Sequence, residues 1–491
     1  MNSTSIDNIA ARPNGVIKAK LSRDDIIMRG GMAVIALYLV ISLVFPLYAM
    51  FSKSFSTFQY DLSKFEVQVS DDAGQFSPAK ANLQSLNDGL QALSNAELST
   101  GSGGRLGVTV FFPDFSFRSP VMYRIRNVDQ QGRFLVGSTL VTGTDWQELD
   151  SNNFRRVQLR PLRSTGLSNF INYFSTPALF KSIQNSIFIS IISTIITVIL
   201  AFWFAYALNR SCMRFKGFFR LIAMAPILVP SLLPGIALVY LFGAQGVIKG
   251  LLFGASIYGP IGIIIGSVFF TFPHAFLIIS TALAISDARL YEAAVSLKAS
   301  AWKTFWTVTI PGARYGIVSA AFVVFNLVIT DFGLPKVIGG QFNVLAVDIY
   351  KQVIGQQNFE MGAVVSVVLI IPAILAFAID RFVQSKQVAL LTARSVPFHP
   401  KPSTKTDLTF TIYCALVGFF IVGILGICQF AALIKFWPYD LSLSLNNYQF
   451  DKMDGGGWAA YYNSIKMALL TALIGTCVIF FGAYLVEKSS G

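Results

Sequence analysis

Charged residues are scarce in this sequence. Asp, Glu, Lys and Arg make up 13% of the chain, whereas about 25% is usual for a soluble globular protein. Hydrophobic residues make up 54%, and several apolar runs are long enough to cross a bilayer. The composition therefore excludes a soluble globule and predicts a polytopic membrane protein whose main surroundings are the lipid bilayer.

Histidine and cysteine are also scarce. The two histidines are His274 and His399, and the four cysteines lie in or beside apolar runs without the spacing of metal ligands. The sequence contains no G-x-x-x-x-G-K-[ST] motif, which would bind ATP phosphates. We therefore expect no catalytic residue, no metal site and no cofactor, and we predict that the chain is not an enzyme by itself.

Positive charge is in surplus, with a formal net charge of +13. In a membrane protein such a surplus indicates basic cytoplasmic loops rather than a nucleic-acid partner. The basic residues of a polar tail, 1–29, place the N-terminus in the cytoplasm, ahead of a first transmembrane helix at 30–51. Further spans are predicted at about 180–208, 218–243, 257–285, 314–335, 362–380 and 409–434.

Residues 52–178 are less apolar than the rest and predict a small mixed α/β extracytoplasmic insertion. Residues 107–112 alternate as a strand does, residues 99–104 are rich in Gly and Ser as a turn is, and residues 79–93 are predicted as a helix. Such an insertion could contact a binding protein or simply pack on the membrane domain.

Three prolines, Pro226, Pro230 and Pro234, interrupt one predicted span at intervals of four residues. They predict a kinked or partly unwound helix whose freed carbonyls face protein or a watery path. Asp331 lies near the outer end of a later span, where an ionisable side chain either lines a substrate path or is an interfacial residue that caps or pairs locally with Lys336. Pro230, Pro234 and Asp331 are therefore the candidate path residues.

A polar stretch, residues 287–312, lies between two apolar runs. It contains two sets of apolar residues with helical spacing, which predict two short helices with one apolar stripe each. Asp287 and Ser300 occupy N-cap positions, and Pro311 is expected to end the second helix. The product would be a helix-turn-helix on the membrane surface. The two sets are Leu290, Ala293, Ala294 and Leu297, and Trp302, Phe305 and Trp306.

This stretch resembles the cytoplasmic loop of the permease subunits of bacterial ABC importers, which reads E-A-A, three residues, G, nine residues, I-x-L-P. One position departs from that pattern, because Lys298 replaces a glycine. A positive φ there costs about 1 kcal/mol for most side chains. The resemblance implies an ATPase-docking loop formed by Glu292, Ala293, Ala294, Leu297, Lys298, Val308, Ile310 and Pro311.

The chain also repeats itself. Residues 185–187 and 205–211 correspond, at one fixed offset and without gaps, to residues 463–465 and 483–489. Such a repeat predicts a duplicated membrane fold with both copies running in the same direction. We expect residues 179–380 to be the first permease half, 381–408 a cytoplasmic linker and 409–491 a truncated second half. The alternative to a fragment of a longer chain is a natural short form.

Three more stretches, 231–243, 329–340 and 348–358, look like the fused two-half permeases for 2-aminoethylphosphonate import, with ferric-iron permeases as close relatives. The resemblance implies an all-α, duplicated type I ABC importer permease fold with about eight transmembrane helices in the bacterial inner membrane. It also implies two partners, a homodimer of cytoplasmic ABC ATPase subunits and a periplasmic substrate-binding protein. It favours 2-aminoethylphosphonate as the substrate, and ferric iron or another small anion is the alternative.

Two other classes of protein compete with this interpretation. An ion-coupled secondary transporter would need coupling acids or basic partners near mid-membrane, and Asp331 is too close to a span end for that role. A membrane-anchored receptor or scaffold built on residues 52–178 would explain neither the repeat nor the polar loop.

Overall fold

The computed structural model describes residues 23–59, 65–70, 75–78, 82–84, 108–111, 123–128, 134–136, 139–141, 143–149, 157–159, 162–387, 398, 400, 402–452 and 456–488. The chain divides into two compact units. One contains residues 1–49 and 449–491, and the other contains residues 50–448.

Helices dominate the described residues, as the apolar composition predicts. In chain order they are α1 (Arg23–Leu39), α2 (Phe45–Ser54), α3 (Ser168–Ser175), α4 (Pro177–Arg210), α5 (Lys216–Met224), α6 (Leu232–Phe242), α7 (Pro260–Ala284), α8 (Ala288–Ser296), α9 (Ala301–Thr304), α10 (Ile310–Ile329), α11 (Gly333–Ile338), α12 (Leu345–Tyr350), α13 (Phe359–Gln387), α14 (Thr404–Leu433) and α15 (Gly457–Lys488).

Seven helical stretches among the described residues are long and apolar enough to cross a membrane, and a bent pair raises the number to eight. The prediction of about eight transmembrane helices is therefore confirmed. The seven are Met28–Ser54, Pro177–Arg210, Pro260–Ala284, Ala301–Ile329, Phe359–Val383, Thr404–Leu433 and Gly457–Lys488.

The bent pair is the span in which three prolines were found. It consists of Lys216–Leu228 and Leu232–Phe242, with an angle of 103° between them. Residues Ala225–Leu228 form a 3₁₀ turn, and Pro230 follows the turn while Pro234 lies inside α6. Because proline cannot donate a backbone hydrogen bond, the helix breaks here as predicted.

The helices of the larger unit pack around a core between α4, α7 and α10. The ring of Phe204 in α4 meets those of Phe272 and Phe276 in α7 edge-on, with both centroid distances 5.4 Å. A side chain at Gly316 of α10 would overlap the methyl group of Ala282 in α7. Small residues at such crossings let two membrane helices approach closely.

Helix α14 packs on α4, α5 and α6. The hydroxyl of Tyr413 donates a hydrogen bond to the carbonyl of Leu200 at 2.8 Å. The carboxylate of Asp407 accepts a 2.7 Å bond from the N–H of Cys212, just beyond α4. Although its sequence was assigned to the second permease half, α14 therefore belongs to the compact unit that contains the first. The division at 381–408 itself stays a prediction.

Most of the strands lie between α2 and α3. They are β1 (Ser56–Gln59), β2 (Phe65–Ser70), β3 (Phe76–Pro78), β4 (Asn82–Gln84), β5 (Val108–Phe111), β6 (Tyr123–Asn127), β7 (Phe134–Val136), β8 (Thr139–Val141), β9 (Gln147–Leu149), β10 (Val157–Leu159) and β11 (Leu162–Thr165), and β12 (Ile434–Phe436) and β13 (Asp440–Leu443) form a separate hairpin after α14.

The strands of the insertion form antiparallel sheets in the orders β4-β5-β10-β7-β8, β3-β2-β6-β9 and β1-β11. The Glu66 carboxylate accepts a 2.8 Å hydrogen bond from Arg126, its partner across β2 and β6, and such opposite-charge pairs help to fix register.

One strand of the insertion was predicted correctly and one prediction was wrong. The strand predicted at 107–112 is confirmed as β5. The helix predicted at 79–93 is wrong where the structure describes it, because Asn82–Gln84 pairs with β5; pairing with a distant strand overrides local helix propensity. The turn predicted at 99–104 lies outside the described residues.

Candidate functional site: the loop of residues 287–312

The first helix of the loop, α8, starts where its sequence predicts. The side chain of Asp287 accepts a 3.1 Å hydrogen bond from the N–H of Arg289, as an N-cap residue does. The N-cap role of Asp287 is therefore confirmed.

Helix α8 ends at the position where the lysine replaces the family's glycine. Lys298 has a φ of 51°, and two backbone hydrogen bonds of 2.9 Å close the turn, from Lys298 to Val295 and from Ala299 to Ala294. These two bonds form a Schellman motif, in which the residue after the C-cap has a left-handed conformation. The turn thus keeps the shape that glycine prefers, at the conformational cost expected for a lysine.

The second half of the loop differs from the prediction. Ser300 caps α9 as expected and accepts a 3.2 Å bond from the N–H of Lys303. However, Pro311 does not end the helical stretch that begins with α9. After Thr304 the chain continues through a π-helical turn, Phe305–Thr309, directly into α10.

The π-helical turn explains why Pro311 does not stop the helix. The N–H of Ile310 bonds to the carbonyl of Phe305, five residues earlier, so the helix is widened immediately before the proline. A wider turn relieves the clash between a proline ring and the carbonyl of the preceding turn. The second half of the loop, from Ala301, is therefore continuous with the membrane span Ala301–Ile329.

The apolar stripe predicted for α8 is not the face that packs on the protein. Of its four residues only Ala294 is buried, while Leu290 is 55% and Leu297 is 82% exposed. The buried side chains of α8 are instead Ala288, Tyr291 and Ala294. The prediction of one apolar stripe does not say which face of α8 packs on the protein, and that contact is made by small residues and one tyrosine.

The exposed side of the loop combines one acid with several large apolar groups. Glu292 and Ala293 are exposed, and Val295 is 68% and Trp302 is 67% exposed. We call this surface the loop face, and it consists of Leu290, Glu292, Ala293, Val295, Leu297 and Trp302. Exposed apolar groups beside polar residues are typical of a protein interaction site.

The buried side of the loop fixes it to the membrane helices. Phe305 is buried and its ring stacks on that of Trp203 in α4, with centroids 5.5 Å apart. The hydroxyl of Tyr291 lies 3.1 Å from that of Thr309, which joins α8 to the second half of the loop. Val308 and Ile310 are half-buried, whereas Pro311 is exposed. The loop is therefore packed on the membrane helices on this side and exposed on the loop face.

Asp331, one of the three candidate path residues, makes local contacts. The carboxylate of Asp331 accepts hydrogen bonds from the N–H groups of Gly333 and Leu334 at 3.2 and 3.4 Å, and so caps α11. Lys336 lies 4.4 Å from the ring centroid of Tyr350. Local capping, one of the two alternatives for Asp331, is what the contacts show.

Asp331 nevertheless lies at the broken span. Its carboxylate accepts a hydrogen bond from the hydroxyl of Ser231, between exposed Pro230 and buried Pro234. A side chain at Gly333 would meet Ser231 Oγ at 2.6 Å, so α11 and the start of α6 touch. The start of α11 therefore lies against the chain at the break of the bent span, and a substrate path at this position stays a prediction. Among the described residues, no group of three His, Cys, Asp or Glu could hold a metal ion.

Residues 198–388 match the family described as binding-protein-dependent transport system inner membrane component. This range runs from within α4 beyond the end of α13 and includes the whole loop. The predicted resemblance to an ABC importer permease is therefore confirmed over this part of the chain.

Curated relatives include permeases for different transported species. The chain is 25% identical over 327 residues to the ferric transport system permease protein FbpB of Actinobacillus pleuropneumoniae, with 63% of this chain and 47% of that protein covered. It is 24% identical over 326 residues to the putative ferric transport system permease protein FbpB 1 of Haemophilus influenzae, with coverage of 63% and 51%.

A shorter match is to the molybdenum transport system permease protein ModB of Azotobacter vinelandii, 28% identical over 170 residues, which covers 33% of this chain and 75% of that protein. The chain spans about half the length of the two ferric relatives.

Proposed function

We propose that this chain is a permease subunit of a bacterial ABC importer, which forms part of the translocation path and couples it to a separate ATPase. The observation that carries the proposal is the loop face. Most of it lies on α8, which is capped at both ends, and its residue Trp302 lies in α9, which runs without a break into the span Ala301–Ile329. A partner that moves this loop would therefore move a membrane helix.

Two protein partners follow from the proposal. A homodimer of cytoplasmic ATPase subunits would receive Glu292, Leu297 and their neighbours in a cleft, and would supply all ATP hydrolysis. A periplasmic binding protein would deliver the substrate, in keeping with the name of the family that residues 198–388 match. The excess of Lys and Arg supports an inner-membrane orientation with the N-terminus and the loop in the cytoplasm.

The path is proposed to pass the broken span. Pro230 and Pro234 interrupt α6 and its preceding turn, and Asp331 caps α11 beside them. Half-helices whose ends meet within a membrane protein are a common way to build a substrate site.

The substrate is proposed from resemblance. The three stretches of sequence favour 2-aminoethylphosphonate, and two of the relatives carry ferric transport in their names. Uptake of both species, each with its own candidate binding protein, should therefore be compared in proteoliposomes. Uptake of ferric complexes alone would replace the phosphonate proposal.

The docking role is tested by reversing the charge on the loop face. Glu292→Lys should weaken ATPase binding to the permease in nanodiscs at least about tenfold, because removing a charge from an interface core costs about 2 kcal/mol or more. The matched control is Glu148→Lys, which reverses an exposed charge in the insertion. Equal affinity for wild type and Glu292→Lys, at equal amounts of inserted protein, would refute the docking role.

A further inference from the structure

Arg210, the last residue of α4, lies where three other parts of the chain meet. Its guanidinium donates a 2.9 Å hydrogen bond to the carbonyl of Leu283 and another to the hydroxyl of Ser286, at the end of α7. Basic side chains commonly bind the last carbonyls of a helix in this way. Arg210 therefore ties the end of α4 to the end of α7.

The same guanidinium also contacts two aromatic rings. Its carbon lies 4.8 Å from the ring centroid of Tyr291 in α8 and 4.5 Å from that of Phe398 in the linker. The two rings are themselves 4.7 Å apart. We call these three residues the Arg210 clamp. Its three members come from α4, from the docking loop and from residues 381–408.

Tyr291 is the main attachment of α8. It is 8% exposed, and the other buried side chains of this helix are two alanines. A cation over an aromatic face is stabilising, and more so where water is excluded. The contact between Tyr291 and Arg210 therefore joins α8 directly to the end of α4.

The chemistry requires arginine rather than any cation. A planar guanidinium can stack on rings and donate hydrogen bonds in the plane at the same time, whereas a lysine ammonium is a compact point charge. The repeat provides a comparison within the chain, because Lys488 occupies the position that corresponds to Arg210.

We propose that Arg210 is a positioning residue that couples the docking helix α8 to span α4, and that Phe398 makes the linker part of this coupling. The proposal rests on the proposed function, since it assigns to the loop a specific connection with a membrane helix. It adds that the linker between α13 and α14 acts on the loop directly.

The first measurement is hydrogen exchange of the full chain in nanodiscs. Arg210→Lys and Phe398→Ala should each raise exchange of the α8 amides about fivefold, the loss expected for one partly buried cation–π contact. Phe398→Trp keeps a ring and should restore protection. The controls are Arg214→Lys, which changes an exposed arginine, and Phe253→Ala, which changes a phenylalanine that is 94% exposed. Unchanged α8 exchange in Arg210→Lys and Phe398→Ala would overturn the proposal.

The second measurement separates coupling from simple support of the loop. In Phe398→Ala the affinity of the ATPase for the permease should change less than about twofold, because the loop face is intact, while permease-stimulated ATP hydrolysis falls about fivefold. Loss of affinity with an unchanged maximal rate would mean that the clamp only holds the loop in shape, and would overturn the coupling. If the ATPase does not bind the wild-type chain, the proposed function fails, and the exchange data alone decide for or against the clamp.

Discussion

Helices α4 and α15 carry the two copies of the repeat, and they differ in their surroundings. Thirteen side chains of α4 are buried, whereas none of α15 is. The shared Asn-Ser-Ile motif shows the difference most clearly. In α4 the hydroxyl of Ser186 accepts a 2.8 Å bond from the N–H of Leu345, while Ser464 in α15 donates to the carbonyl of Ala460 in its own helix.

Part of this difference in burial follows from the residues that the two copies carry at corresponding positions. Ser190, Thr194 and Thr197 are buried in α4, and the corresponding positions in α15 are alanine, alanine and glycine. Small hydroxyl side chains let helices approach and bond across the contact. Both apolar runs form long helices, and the copy with more small hydroxyl residues is the one that is packed against neighbours.

The largest expected effect comes from overfilling a fully buried position of α4. Ala205→Phe should destabilise the chain by about 3 kcal/mol, because Ala205 is fully buried and overpacking a dense core costs that much. The corresponding Ala483→Phe in α15 changes an exposed residue and should leave the melting temperature in detergent unchanged. An equal drop in melting temperature for both variants would show that the two helices are packed alike.

A smaller effect is expected at the shared serine. Ser186→Ala should cost about 2 kcal/mol, because it leaves the buried N–H of Leu345 without its acceptor. Ser464→Ala is the matched control and should be neutral. Denaturant titration of both variants measures the difference, and a neutral Ser186→Ala would show that this N–H finds another partner.

A smaller difference in stability is expected between the C-terminal ends of α4 and α15. Asn209 donates a 3.0 Å bond to the hydroxyl of Ser280 in α7, so Asn209→Ala should cost about 1 kcal/mol. The control is Glu487→Ala at the corresponding, exposed position of α15. Thermal unfolding followed by tryptophan fluorescence would detect the difference, and equal shifts would remove the distinction between the two helix ends.

The smallest effect tests a position that depends on backbone conformation rather than on neighbouring helices. Lys298→Gly should stabilise the end of α8 by about 0.5 kcal/mol, since φ at this residue is 51° and glycine adopts it without strain. Val295→Gly, within the same helix, should have the opposite sign. Slower exchange of the Ala299 amide in Lys298→Gly is the expected result, and weaker ATPase binding would show that the lysine contacts the partner.

Features that depend on neighbouring residues in the chain could be predicted from the sequence. The spans, the N-caps Asp287 and Ser300 and the break at the three prolines follow from periodicity, capping and the missing N–H of proline, and all are confirmed. The course of the helix past Pro311 was not predicted, because a π-helical turn has no strong local signal.

Features that join distant parts of the chain could not be predicted. Nothing in the sequence near Tyr291 indicates that its ring meets Arg210 and Phe398. One signal was available, since the repeat keeps a basic residue at Arg210 and at Lys488. This signal indicates a charged helix end. The aromatic neighbours of that end are seen only in the three-dimensional structure.

The length of α4 has a mechanical consequence. Its 34 residues extend about 51 Å, compared with about 30 Å for the hydrocarbon core of a bilayer. Apart from the proline in its first position, the helix contains no proline or glycine, the residues at which helices usually kink. The helix is therefore longer than the hydrocarbon core is thick and has no proline or glycine at which it could bend, so that it can tilt as one rigid rod. Since Lys181 and Arg210 lie about 44 Å apart along it, a tilt of about 5° at one end moves the other by about 4 Å.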